Sequence, residues 1–370
     1  MDLTDGCLPV ALDLSAGRIA LRPLARSAFH EPWYDSAYPV EDERLVLWRP
    51  LDDLLAWAEA DRASLAPPRA LRLIAHTSRC GSTMLANQLS LRGGTLVLKE
   101  PLFLMNAALH AVRARSDAER RSAHGLVRAL LAYCDAVARA HGRRLVVKLT
   151  SWTSLVVLDV LGGCAGPARW LLVWRDPAEV VASLTSSPPS WQALRHDPAL
   201  RALLGLTARD ATCGTPHSAA GCEDTTACEV DGEHDGVGGP GGEADAVFYA
   251  HLWRAVVEPF AASAPRPGGA AGVRFLDYAA FTADRAGGLR AAERWLRLGA
   301  PDDLPEGFAA ACGRYAKSLG AEPFDPAGIH RRPALTPAVR SVVRRVTTPA
   351  SSLLGNGVPA LTAEGDHSRG

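Results

Sequence analysis

The chain lacks an excess of either charge: forty basic and forty acidic side chains cancel, and the isoelectric point is about 7.2. No net field therefore recruits nucleic acid or an anionic membrane, although a local basic cleft for a polyanion stays open. No apolar run is long enough to span a bilayer. The first residues, Met1-Asp-Leu-Thr-Asp-Gly-Cys7, lack the basic start and apolar stretch of a signal peptide, so a soluble cytoplasmic protein without membrane or nucleic-acid partners is expected. The eight cysteines are scattered with no C-x-x-C framework, which in a reducing compartment predicts free thiols. What is present, 370 residues with 48% hydrophobic content, suffices for a sizeable core in one large domain or two ordinary ones.

From Leu71 to Leu89 an apolar run passes into a short polar loop, Thr77-Ser-Arg-Cys-Gly-Ser-Thr83, and then into a helical pattern. This is the order of elements in a phosphate cradle: successive N–H groups from Cys80 to Thr83 can converge on one anion, helped by the helix N-terminus. It is not a Walker A loop. Ser82 stands where the lysine of that motif belongs, and His76 where its first glycine belongs. A nucleotide is expected, but not a nucleoside triphosphate.

A second polar start follows the buried strand predicted at Arg169 to Trp174. Asp176 is placed to cap a helix, Pro177 takes its first position, and Glu179 follows three residues after the cap. Positions 176, 179, 180 and 183 share one helix face, so Arg175 and the Ser183 hydroxyl are placed to grip a second phosphate. Further strands are predicted at Thr95 to Leu98, Arg144 to Leu149 and Val273 to Leu276. Helices are predicted at Ser116 to Ala140, Thr153 to Leu161 and Ala244 to Ala262. Such alternation implies an α/β fold, a parallel sheet with helices on both faces.

These motifs resemble the sulfotransferase superfamily, whose donor is 3′-phosphoadenosine 5′-phosphosulfate (PAPS). The loop from Thr77 to Thr83 is similar to its 5′-phosphosulfate loop, in the variant with arginine, and Arg175 with Ser183 is similar to its 3′-phosphate site. Lys99-Glu-Pro101, Val146 to Trp152, Arg314-Tyr-Ala-Lys317 and Pro323-Phe-Asp325 resemble segments of bacterial members. The resemblance runs from about Leu71 to Ser187 and more faintly from Ala244 to Arg332. It implies a P-loop-like, sulfotransferase-like parallel β-sheet flanked by helices, with a mainly helical C-terminal part. The expected organisation is an N-terminal cap (1–66), a nucleotide-binding core (67–208), a Gly- and Asp-rich insertion (209–243), the C-terminal part of the domain (244–346) and a poorly ordered tail (347–370).

The resemblance also implies roles. Ser78, Arg79, Cys80, Gly81, Ser82 and Thr83 hold the 5′ end of the donor, and Arg175 and Ser183 the 3′-phosphate. Arg79 meets charge on the departing phosphate, Lys148 neutralises the sulfonate, and Glu100, just beyond the second strand of the core, takes the proton of a hydroxyl or amine on a small-molecule acceptor. Plainer roles stay open: Glu100 capping the helix at Pro101 or pairing with a cation, and Lys148 in an ordinary salt bridge. Cys80 is either a nucleophile or, preferably, a space-filling side chain; His76 is preferably a packed, hydrogen-bonded histidine. Trp152 either stacks on a ligand or belongs to the core, and Lys317, Arg331 and Arg332 either close over the donor or form a solvated surface. Cys213, His217, Cys222, Cys228 and His234 invite a zinc reading, but their spacings match no compact site, so no metal is expected. The alternatives to a sulfotransferase are a P-loop kinase or other NTP-binding protein, and a noncatalytic nucleotide-binding protein. Oligomeric state is open.

Overall fold

The computed structural model describes residues 6–24, 34, 46–63, 71–164, 168–206, 242–263, 272–299, 303–313, 335–355 and 360–361. The expected insertion, except for its last two residues, lies outside the described residues, as do its cysteines and histidines, Arg314, Lys317, Pro323 to Asp325, Arg331 and Arg332.

The centre is a five-stranded sheet of β4 (Arg72–His76), β5 (Thr95–Lys99), β6 (Arg144–Lys148), β7 (Arg169–Trp174) and β8 (Val273–Asp277). Its spatial order is β5-β6-β4-β7-β8, with every pairing parallel. Parallel strands covered on both faces read as nearly continuous apolar runs, as Leu-Val-Val in β6 and Trp-Leu-Leu-Val in β7 do. The period of two sends neighbouring residues to opposite layers. Leu73, Ala75, Leu145, Val147, Trp170 and Leu172 pack into one core, and Ile74, Val146, Leu171 and Val173 into the other.

The first layer takes α3 (Leu102–Arg113), α4 (Asp117–Ala140), α5 (Thr153–Val160), α6 (Pro177–Ser186) and α8 (Gly242–Ala262). The second takes α2 (Ser82–Ser90), α9 (Tyr278–Ala283) and α10 (Arg285–Trp295). Helix starts follow local chemistry. The Ser116 hydroxyl accepts from the Glu119 N–H at the head of α4, and Asp176 accepts from Ala178 and Glu179 at the head of α6, where Pro177 needs no donor.

The N-terminal cap holds an antiparallel sheet that the sequence did not announce: β1 (Cys7–Asp13), β2 (Arg18–Pro23) and β3 (Leu47–Pro50), followed by α1 (Leu51–Ala63). It is tied to the first layer by Trp57 edge-on to Tyr133 at 5.4 Å and by the Tyr133 hydroxyl, which donates to the Cys7 carbonyl at 3.1 Å.

Beyond the 3₁₀ turn at Ser190–His196 and α7 (Pro198–Leu203), the C-terminal part is mainly helical, ending in α11 (Phe308–Gly313) and α12 (Pro337–Gly355). The expected tail is corrected here: Thr347 lies inside α12 and is buried, as are Val343 and Ala350. Their spacing puts all three on one face, and burial of that face holds the segment as helix where a terminal segment is otherwise often poorly ordered. Among the described residues no helix is long and apolar enough to cross a membrane.

Candidate functional site

Because all five strands are parallel, their C-terminal ends share one edge, and β4 lies between strands reached by crossovers in opposite directions. Ligands of open α/β sheets bind in the crevice at such a switch point. The loop leaving β4 is held in an uncommon backbone shape. Ser78, Arg79 and Gly81 have φ of 64°, 50° and 78°. A Cβ on Gly81 would lie 2.9 Å from the Tyr278 ring, so glycine answers both the turn and the close approach. Gly81 is also the N-cap of α2, where no side chain caps and no acidic residue sits in the first turn. By contrast α4, α6, α7, α9 and α10 each have a serine or aspartate cap. The start of α2 is thus free of a capping carboxylate, beside the buried hydroxyl residues Ser82 and Thr83, and a helix N-terminus of this kind suits an anion.

Cys80 is fully buried and its thiol donates to the Val173 carbonyl at 3.1 Å. Burial raises its pKa, which keeps it a thiol. The nucleophile alternative is set aside: the side chain anchors the loop to β7.

At the ends of β5 and β6, Glu100 and Lys148 meet in an ion pair, with Lys148 fully buried and the Glu100 side chain 14% exposed. Glu100 has φ of 53°, and its N–H donates to the Lys148 carbonyl at 2.7 Å. It does not cap α3, whose N-cap is Pro101 with no side-chain bond. His76 joins the pair from β4, its Nε2 lying 3.2 Å from Glu100 Oε1. Lys99 is buried as well. The chain has only three lysines, Lys99, Lys148 and Lys317. Two of them are buried at this edge, a signal present in the sequence that composition as Lys plus Arg conceals.

Arg175 ends the crossing beside β7 and is nearly buried. Its guanidinium pairs with Glu179, donates to the Arg79 carbonyl at 3.2 Å and lies 4.5 Å from the centre of the Tyr278 ring. The Trp253 indole donates to its carbonyl at 2.9 Å. Ser183, two turns along α6, is fully buried and its Oγ has no hydrogen-bond partner among the described residues; the same holds for Thr77 Oγ1. A buried hydroxyl without a partner costs free energy unless something supplies one.

The Arg79 guanidinium is bound just past the end of α6. Its Nη2 donates to the carbonyl and hydroxyl of Ser187, the hydroxyl at 3.1 Å. Trp152 is fully buried in the core. The neighbouring Ser151 instead links this segment to the loop, its Oγ accepting from Ser78 Oγ at 3.0 Å.

The structure therefore brings Ser78 to Thr83, Glu100, Lys148 and Arg175 to one sheet edge, with Ser183 buried two turns along the helix that starts there. It adds Tyr278, which follows the last strand and touches both the Gly81 and the Arg175 positions. Tyr249 on α8 is fully buried; burial and then Asp245 raise its pKa, while Arg195 and Arg79 oppose the shift. A groove of about 560 Å³ lies elsewhere, lined by Leu158 of α5, Leu204 beyond α7 and Arg254 and Glu258 of α8; it includes none of these residues. Among the described residues no three His, Cys, Asp or Glu side chains are grouped to hold a metal ion. No family model matches the chain, and neither does any curated protein or solved structure.

Proposed function

We propose that the chain is a sulfotransferase with a P-loop-like core, which moves a sulfuryl group from 3′-phosphoadenosine 5′-phosphosulfate to a hydroxyl or amine of a small-molecule acceptor. The observation that carries this reading is a pair of features at one sheet edge: an uncapped helix start behind Gly81, and Arg175 at the head of the helix that carries Ser183, whose buried Oγ has no partner among the described residues. A donor with phosphate at both its 5′ and 3′ ends fits such a pair better than a nucleoside triphosphate, and Ser82 in place of the Walker lysine supports the same choice.

The donor supplies a sulfuryl group activated by its bond to a 5′-phosphate. The amides from Cys80 to Thr83 hold that phosphate, and Arg175 and Ser183 fix the 3′-phosphate. Arg79 exchanges Ser187 for the bridging oxygen as the S–O bond to the phosphate breaks and its electron pair stays on that oxygen. Lys148, paired with Glu100 in the free protein, becomes shared with the sulfonate, which frees Glu100 to take the acceptor's proton while the new bond to sulfur forms. Both members of the pair thus have a task, and the pairing keeps the base masked until an anion enters.

Calorimetry with 3′-phosphoadenosine 5′-phosphate, ATP and GTP, each with and without Mg²⁺, tests the reading. Binding of the 3′-phosphorylated nucleotide in preference to the others and independent of Mg²⁺ is expected. Mg²⁺-dependent binding of ATP or GTP without that preference would favour a kinase or NTP switch.

A further inference from the structure

His76 is buried at the end of β4, and its two ring nitrogens face different partners. Nδ1 accepts a hydrogen bond from the Ser78 N–H at 3.0 Å, and Nε2 lies 3.2 Å from Glu100 Oε1. A backbone amide only donates, so Nδ1 carries a lone pair; the proton of the neutral ring is then on Nε2, which lies within ion-pair distance of the carboxylate without the alignment of a hydrogen bond. The ring joins two residues in left-handed backbone conformations, Ser78 in the anion loop and Glu100 after β5. Such conformations persist in non-glycine residues only where the surroundings impose them, and they cluster at functional sites.

We propose that His76, held as its Nε2–H tautomer, is a positioning residue that couples the anion loop to the Glu100 carboxylate. Nδ1 fixes the Ser78 amide, and with it the turn that presents the amides of α2. Nε2–H sets a partial positive charge beside the Glu100 carboxylate, alongside Lys148, so that one rigid ring touches both the loop and the carboxylate. His76 needs no contact with the reacting atoms; it acts through Ser78 and Glu100. Its catalytic consequence rests on the sulfotransferase reading, whereas the coupling itself does not.

Two half-replacements separate the ring's tasks. In His76→Asn the amide oxygen reaches the Nδ1 position and accepts from Ser78, but the side chain falls short of Glu100. In His76→Gln the amide reaches toward Glu100 and leaves the Nδ1 position empty. Nitrogen NMR of histidine-labelled, full-length protein without nucleotide is expected to show Nδ1 unprotonated and Nε2 protonated; the opposite tautomer overturns the proposal whatever reaction the protein catalyses. Hydrogen exchange at the Ser78 amide is expected to rise by roughly three- to tenfold in His76→Gln and to stay near wild type in His76→Asn, matching the loss of one ordinary hydrogen bond. Affinity for 3′-phosphoadenosine 5′-phosphate follows the same split, while His76→Asn keeps affinity and lowers kcat. Equal effects of both variants on Ser78 exchange, as simple loss of packing would give, overturn the coupling. Absence of nucleotide binding by the wild type refutes the sulfotransferase reading alone, because tautomer and exchange still decide the role of His76.

Discussion

The two edges of the parallel sheet are built on opposite principles. Where the strands begin, Arg72, Arg144 and Arg169 open β4, β6 and β7, and each guanidinium donates to a carbonyl at or beyond the end of α10: Leu296, Leu298 and Trp295. Cations thereby meet the electronegative end of a helix. Arg169 and Arg274 also lie over the Trp295 ring at 5.0 and 4.6 Å. Crowding is tolerated: burial lowers the Arg169 pKa first, then Arg297, Arg72 and Arg274 lower it further, yet an arginine so far above neutrality stays charged.

Where the strands end, matching gives way to tension. Of the four non-glycine residues with positive φ among the described residues, Ser78, Arg79 and Glu100 lie at this edge. The Thr77 and Ser183 hydroxyls are buried without partners among the described residues, and α2, α3 and α5 start without side-chain caps. One edge closes the fold. The other stores polar groups in arrangements that folding alone does not favour, and we read that difference as the signature of a site.

The comparison can be broken most forcefully at Lys148. Lys148→Met leaves Glu100 without its ammonium partner and is expected to lower stability by about 3–5 kcal/mol in denaturant unfolding. Adding Glu100→Gln should restore much of the loss; equally destabilised single and double variants would mean that the pair is not the source. Glu100→Gln alone is expected to reduce acceptor turnover by about 100-fold or more while donor affinity holds. A variant that turns over normally, whatever its melting temperature, would reduce Glu100 to a structural partner of Lys148.

At the opposite edge Arg72→Met sharpens the contrast. It should cost about 1–3 kcal/mol by orphaning the Leu296 carbonyl, and nucleotide affinity measured on the folded protein should not change. An affinity loss there would show that the two edges are not independent. The smallest expected effect concerns Cys80. Its thiol should resist alkylation in the native protein at neutral pH and react only on unfolding, while the half-buried Cys312 reacts earlier. Rapid native labelling of Cys80, read by peptide mass spectrometry, would reopen its nucleophilic role.

How much of this was legible in the sequence depended on whether the signal was local. The Arg169–Trp174 strand, the Asp176 cap with Pro177, and the long helix predicted from Ser116 to Ala140 appear where expected, because a cap and a helical period are local signals. The antiparallel sheet of the N-terminal cap was missed, since pairings such as Ala20 with Trp48 join distant residues and Pro and charged residues mask the alternation. Within the site, Gly81 announced the turn, but nothing local announced left-handed Ser78, Arg79 and Glu100. The meeting of His76, Glu100 and Lys148 joins the ends of three strands and follows from sheet order alone. Tyr278 was overlooked because an aromatic just after a strand reads as core until its neighbours are known.

Ser183→Ala tests the central claim most directly, because it removes a hydroxyl that is fully buried and has no partner among the described residues. The measurement is the ratio of affinities for 3′-phosphoadenosine 5′-phosphate and adenosine 5′-phosphate, by calorimetry on wild-type and variant protein of verified thermal stability. If the open edge is a two-phosphate site, stability stays the same or rises, and preference for the 3′-phosphorylated nucleotide falls by roughly tenfold or more, the worth of a hydrogen bond to a charged group. An unchanged ratio would contradict the account, most plainly if the variant were also less stable, because Ser183 would then belong to the packing of α6 and not to a ligand site.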